Sequence, residues 1–449
     1  MIPGELGRER LAEAADAALT VGADGVEVIA IHSIGGLTRF ASSRIHQNTW
    51  REDMEFRVVA VVDGTKMGVA STHSLEPGAV RRAAEDAVAI ARVTPGDPDF
   101  PGLAPAASFP EKKGFDEATA TATPADRAEA VRHALSEVPG TMEGAGYVET
   151  VADEVLITST TGVRAFGRTT RAGISVLAMT DDSSGYAERL ERRLSDLDPT
   201  SLATRAVDKA ERSRDPKPIE PGAYTVILEP AAVSTLMQFL GYLGLGAKAF
   251  LEERSFMSGR IGDALAAELI TIVDDPIAED SLGLAFDFEG VPAQRVVLID
   301  HGMAKGVVWD RATAKKGGVS STGHGLPPPN SYGPIPLNLR MEPGTSTVEE
   351  MVASTERGLL VTRFHYSNVV NEKETVLTGM TRDATFLISD GRIEHGVKNL
   401  RYTQNTLEAL SNVEAVGDKT EISTELFFGG SRAPALKIRD FKFSSTTSH

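Results

Sequence analysis

Cysteine is absent from all 449 residues. The chain therefore forms no disulfide and offers a metal no thiolate, as expected for a reducing compartment. Long apolar runs are missing too. None reaches the roughly 18 residues that span a bilayer. The nearest approach, TLMQFLGYLGLGAKAFLEERSF at 235–256, is broken by Gln238, Gly241, Gly244, Gly246 and Lys248. Positive charge is scarce: 46 Lys and Arg against 63 Asp and Glu leave a net charge of −17. Such a field repels a phosphate backbone, so no nucleic-acid partner is expected. The opening MIPGELGRERLAEAADAALT reads as a charged amphipathic helix rather than a basic region followed by an apolar core, and so not as a signal peptide. These absences predict a soluble cytoplasmic protein without a membrane partner.

The usual catalytic spacings are also missing: no HExxH, GxxxxGK[ST], GxSxG or CxxC occurs. In GYLGLG the order is GxxGxG late in a helix, which reads as close backbone packing rather than a dinucleotide loop.

What is present divides the chain. A length of 449 residues calls for two or three packed units. GVEVIAIH (25–32) and RVVAVVDGTKMGVAST (57–72) read as strands, the second split by an Asp63-Gly64 hairpin signal. EPGAVRRAAEDAVAIARV (76–93) has Val80, Ala84, Ala87, Val88 and Ala91 on one helical face, and a proline-rich connector follows at 94–105. Thr123-Pro124 opens another helix as N-cap and first-turn proline. Strands at 153–160 and 163–180 and a helix at about 198–213 lead to SRDPKPIEPG, the clearest boundary. Beyond it, hairpins are predicted in VVLIDHGMAKGVVWD (296–310) and at Asp390-Gly391, with a capping box at Ser346–Glu349 opening a helix that ends at Gly358. The reading is α+β: residues 1–217 form an N-terminal α/β region of hairpins and helices, with subsegments of about 1–105 and 106–217, and 218–449 form a strand-rich domain with few helices.

Candidate chemistry is sparse. His324 lies in SSTGHGLPPPN, a Gly- and Pro-rich loop able to aim a side chain into a cleft, although an exposed loop histidine is the plainer reading. His301 and His365 fall on turns and strands and read as structural. The pairs Glu252-Glu253 and Asp274-Asp275 could serve acid–base work or hold a hard cation, but adjacent acids on a helix point about 100° apart. Solvated faces, or ion pairs with Arg254 and Arg260, account for them more simply.

Taken together, FLEERSFMSGRIGD, LITIVDDP, DFEGVPAQRVVLIDHGMAKGVVWDRATAKK, STGHG, GLLVTRFHYSN, LTGMTRDATFLISDGRI and VKNLRYTQNTLEALSNVEAVG resemble the C-terminal domain of the TldD/PmbA family, and most nearly its PmbA branch, also called TldE. FASSRIHQ (40–47) with the 57–72 stretch is similar to that family's first domain. The resemblance covers nearly the whole chain and is weakest at about 95–120 and after 420. It implies a subunit of a zinc metallopeptidase whose TldD-type partner carries zinc on a HExxxH helix with a cysteine ligand. It further implies a shared cavity that admits unfolded peptides, among them microcin leader peptides and a labile antitoxin. The HExxxH positions fall near Gln238, Phe239 and Leu243, none of them a metal ligand, so the apolar segment looks like the metallopeptidase helix without its ligands. This chain is then expected to hold no metal itself and to pair with a TldD-like subunit, or with itself as a homodimer. Its peptide cavity would be lined by Glu252, Glu253, Arg254, Thr322, Gly323, His324 and Gly325. Two alternatives remain open: a self-sufficient homodimeric enzyme of non-proteolytic chemistry with Glu252, Glu253 or His324 as acid or base, and a binding or scaffold protein, where the family's older label of DNA gyrase modulator belongs.

Overall fold

The computed structural model describes residues 6–423 and 430–446. Six antiparallel strands form the first sheet: β1 Gly25–Ala41, β2 Arg44–Val62, β3 Lys66–Thr72, β4 Glu143–Ser159, β5 Arg164–Met179 and β6 Ser184–Glu191, in spatial order β3-β2-β1-β4-β5-β6. Side chains alternate between the faces of a strand, and this sheet uses both faces. Even-numbered Val26, Val28 and Ala30 of β1 pack under the helices Gly7–Asp16 and Pro77–Val93 with Leu11, Val80 and Ala84. Phe40 and Val148 meet the helices Pro124–Ser136 and Pro199–Arg212 through Val131, Leu202 and Ala206. Odd-numbered Ile29, Val155 and Ile157 face the other way, against Phe286 from the second half of the chain. The first sheet is thus a floor with helices on one side and the second half on the other.

An 11-stranded sheet is assembled by the second half. Within it Gly222–Leu228 pairs with Arg357–Asn371, then Val376–Ser389, Leu400–Asn405 and Ser431–Thr446 follow, and the last strand pairs back onto the first, closing the circuit. The apolar helix Pro230–Gly244 packs on this ring, its Val233, Leu236, Met237, Phe239, Leu240 and Leu243 all in the main core.

Several expected elements change on folding. The strand expected at 25–32 runs on to Ala41, and β2 begins at Arg44, joined to it by a Ser42-Ser43 turn with both residues at positive φ. The strand expected at 153–160 begins at Glu143. The segment 235–256 is two helices: the first ends at Gly244, Gly246 is extended, and Ala247–Leu251 forms a short second helix. A Cβ on Gly246 would lie 2.1 Å from the Pro334 carbonyl oxygen, so another strand of backbone occupies the place where the helix would continue. The capping box is formed by Thr347 and Glu350, one residue later than expected, and its helix stops at Ala353 because Arg357 already begins a strand that includes Gly358. The hairpin at 296–310 turns at His301-Gly302, but strand structure ends at Ala304. Turns at Asp63-Gly64 and Asp390-Gly391 are where the sequence puts them.

Candidate functional site

The site grows from the loop Ser321–Gly325. Gly323 has φ +73, and a Cβ there would lie 2.4 Å from the Pro292 carbonyl oxygen; a Cβ on Gly325 would strike Glu289 at 2.5 Å. Glycine on both sides lets this backbone lie against its neighbours and turns the intervening His324 inward. His324 is buried rather than exposed. Its Nε2 lies 2.8 Å from Oδ2 of Asp274, a fully buried carboxylate, and its Nδ1 is 2.9 Å from the Thr322 hydroxyl. Oδ1 of Asp274 accepts the Asn338 amide at 2.7 Å. One carboxylate thereby ties the strand Ile272–Asp274, the histidine loop and the segment before Leu339.

The histidine loop and the segment before Leu339 help wall a cavity of about 530 Å³, with the strand Ile272–Asp274 behind them. Its floor is the odd-numbered face of the first sheet, with Ile31, Glu149, Asp153 and Val155; Leu284, Phe286 and Phe288 supply apolar wall, and Gly323, His324 and Gly325 one end. Arg171 on β5 reaches Asp153 at 3.3 Å, leaving Glu149 without a charged partner among the described residues. Asp287, also on the lining, is buried and accepts backbone N–H groups from Gly325 at 2.7 Å, Val291 at 2.8 Å and Glu289 at 3.0 Å. Burial outweighs those three donors and pushes its carboxyl up to about 6. Beside it burial, reinforced by the Asp287 charge, drives Glu289 well above the ordinary carboxylate range, and Glu27 on the sheet floor is pushed up to about 8 by the same causes.

A second, apolar cavity of about 180 Å³ shares Ile335, Leu337 and Gly430 with the first. Gln238 lies on its wall with Tyr242 and Tyr332. The Gln238 amide donates to Ser234 Oγ at 3.0 Å, Ser431 Oγ at 3.2 Å and the Ser423 carbonyl at 3.4 Å. Phe239 and Leu243 are core residues.

The residues singled out from sequence are therefore divided. Gly323, His324 and Gly325 line the large cavity, and Thr322 orients the histidine. Glu252, Glu253 and Arg254 do not line it: all three are exposed at the end of the short helix, with Arg254 bridging Glu252 at 2.7 Å and Glu372 at 2.6 Å. His301 is an exposed turn residue held by Asp300, and His365 lies against Tyr366 on a strand. Asp274 was set aside in the sequence as a solvated acid, and it is instead the buried partner of His324; Asp275 is the member of the pair that meets an arginine, Arg295 at 3.4 Å. Asp287, Glu27 and Asn338 were not singled out at all. DFEG carried a local signal for Asp287, because an aspartate capping the amides two and four residues on is a standard turn device.

Comparison with known proteins agrees with this architecture. Family models described as PmbA/TldA metallopeptidase domain 1, central domain and C-terminal domain match residues 26–91, 105–214 and 221–445. A metalloprotease TldD homolog of Haemophilus influenzae is 27% identical over 431 residues, covering 86% of each chain. Metalloprotease PmbA of Escherichia coli O157:H7 is 25% identical over 471 aligned positions, 97% of each. Among solved structures, TldE from Thermococcus kodakarensis superposes with a TM-score of 0.86 at 22% identity, over 97% of this chain and 99% of that one. A putative modulator of DNA gyrase from Thermotoga maritima gives 0.83 at 21% identity, over 94% and 96%. The chain is a member of the PmbA/TldD metallopeptidase family.

Proposed function

We propose that the chain is a TldE/PmbA-like accessory subunit of a zinc metallopeptidase that degrades or matures unfolded peptides, with catalysis on a TldD-like partner. The observation that carries this reading is the state of the apolar helix. A catalytic zinc needs about three protein ligands and an open position for water. At the helix positions in question stand an amide already committed to Ser234, Ser431 and Ser423 and two core hydrocarbons, Phe239 and Leu243. No group of three or more His, Asp or Glu side chains within metal-binding reach occurs among the described residues, and the sequence supplies no cysteine. The residues do not fit a zinc ion. What the chain retains is a cavity with apolar walls and a few fixed charges, which suits side chains of an extended peptide whose backbone is held by strand addition. The same reading divides the chain at SRDPKPIEPG into units 1–217 and 218–449 and places it in the cytoplasm; among the described residues no helix is long and apolar enough to cross a membrane.

A self-sufficient enzyme using His324 as base is disfavoured by its bonding, since both ring nitrogens face partners within the chain. The deciding experiment purifies the chain alone and together with a TldD-like subunit of the same organism, then measures bound zinc and cleavage of an unfolded peptide. Zinc and cleavage confined to the mixture are expected; stoichiometric zinc or cleavage in the lone chain overturns the proposal.

A further inference from the structure

Five ionisable side chains line the His324 cavity, and four of them are committed. Arg171 holds Asp153. Asp287 is engaged by three backbone amides, and His324 by the buried Asp274. The carboxylate of Glu149 has neither a hydrogen bond nor an ion pair among the described residues. It is half-buried and faces the cavity.

The sheet gives that carboxylate an apolar setting. Glu149 on β4 stands opposite Gly173 on β5, and Gly173 stands opposite Leu190 on β6. A Cβ on Gly173 would lie 3.2 Å from Cγ and Oε1 of Glu149 and 3.2 Å from Cδ1 of Leu190. Glycine at 173 thus lets the acid lean across β5 against the leucine. Leu190 and Leu282 both flank Gly430, lying 3.6 and 3.9 Å from a Cβ built there. Glu149 therefore ends in a corner with two leucines, all three on the cavity lining. Arg171 does not fill the corner. Its guanidinium is on Asp153, four residues along β4 from Glu149 and so about 14 Å away.

A lone carboxylate beside leucines fits one kind of guest, an alkyl stem that ends in a cation. The stem covers the leucines and the head forms a charge-assisted hydrogen bond to the acid. An acidic guest meets three lining carboxylates against one guanidinium. A hydrocarbon guest strips water from Glu149 and returns no donor, which is costly. We propose that Glu149 selects among peptides by binding a lysine or arginine side chain in this corner of the cavity. The proposal rests on the reading of the cavity as a peptide site. It supplies what strand addition lacks, a preference among side chains.

The test uses the full chain alone, without zinc or a partner. It is titrated at low salt with four acetylated, amidated pentapeptides, Ala-Ala-X-Ala-Ala, in which X is arginine, lysine, norleucine or glutamate. The arginine and lysine peptides are expected to bind about tenfold more tightly than the norleucine peptide, and the glutamate peptide more weakly than any. Glu149→Gln is expected to reduce the preference for arginine over norleucine to about twofold or less. Glu143→Gln, at an exposed acid of the same strand outside the cavity lining, is expected to keep it. Glu149→Lys is expected to favour the glutamate peptide over the arginine peptide, a gain that a misfolded protein does not show. Equal binding of all four peptides, or an arginine preference that survives Glu149→Gln, overturns the proposal and leaves the peptide cavity standing. Failure of every peptide to bind also overturns it, while the accessory-subunit reading is still decided by zinc and cleavage in the mixture with the TldD-like subunit.

Discussion

His324 and Asp274 are separated by fifty residues in sequence and by 2.8 Å in the fold, both out of solvent. Removing the imidazole leaves a carboxylate buried with one remaining amide donor, Asn338. Breaking a buried pair from one side costs about 3–5 kcal/mol. His324→Ala is expected to lower the free energy of unfolding by that amount, whereas Asp274→Asn, which keeps shape and one hydrogen-bonding atom for each neighbour, should cost about 1–2 kcal/mol. Equilibrium unfolding of the two variants checks the ranking. Equal, small losses would show that the pair does not hold the cavity wall.

His32 gives a pH dependence. It is 1% exposed, with Nδ1 3.0 Å from Glu154 and Nε2 2.9 Å from Glu52. Desolvation alone would lower its pKa, but the hydrogen bonds and charges of the two carboxylates together prevail and the net shift is upward. A raised histidine contributes stability that is full below about pH 6.5, its unfolded value, and is lost as pH rises through the folded value. Glu154 opposes it in sign: despite desolvation, the bonds from His32 and from the Leu6 and Gly7 amides hold its carboxyl low, so its contribution is lost on acidification. His32→Gln should flatten the fall in stability above pH 6.5 and leave the protein weaker near pH 5 to 6. Thermal melts across pH 5–9 read both effects.

Glu27 runs the other way, as a carboxyl pushed up to about 8 by burial and by Asp287, with Arg311 only partly offsetting them. No hydrogen bond holds its carboxyl among the described residues. A raised carboxyl favours the folded state at low pH, and that advantage drains away as pH climbs from about 4.5 toward 8. Glu27→Gln removes the drain. It is expected to stabilise the protein by up to about 4 kcal/mol at pH 8, from about 1.4 kcal/mol per pKa unit over the rise from 4.5 to about 8, with no gain below pH 4.5. A variant no more stable than the native protein at pH 8 would show that a counter-charge already holds Glu27.

The sequence revealed those features whose cause is local. Asp63-Gly64, His301-Gly302 and Asp390-Gly391 take positive φ readily and so announce their turns. Ser42-Ser43 makes the same turn from two residues with no such preference, and the strand after it, exposed along Arg44–Asp53, has no apolar alternation to betray it. The candidate site was half visible. Glycines on either side of His324 marked the loop, but its partner Asp274 lies on another segment, which no spacing rule connects to it. Glu252 and Glu253 were attractive because they end an apolar helix; the intervening break at Gly246 and a short second helix with an exposed C-terminal end take them elsewhere. Glu27 carried a readable warning, a lone acid within the apolar run GVEVIAIH.

The broken helix gives the last test. Gly241 and Gly246 lie five residues apart, yet their surroundings differ in kind. A Cβ on Gly241 would lie 2.8 Å from Leu339 Cδ1, the end of a side chain that can rotate, while one on Gly246 would lie 2.1 Å from the Pro334 carbonyl oxygen, which moves only with its backbone. Gly241→Ala also gains about 1 kcal/mol of helix propensity, so it is expected to change stability by no more than about 1 kcal/mol. Gly246→Ala must displace the segment that carries Ile335 and Leu337, the shared wall of both cavities, and should cost about 3 kcal/mol or more. If Gly246 is replaced without loss, the helix ends at Gly244 for some reason other than the approach of residue 334. If both predictions hold, the break that separates the apolar helix from Glu252 is imposed by the cavity wall itself.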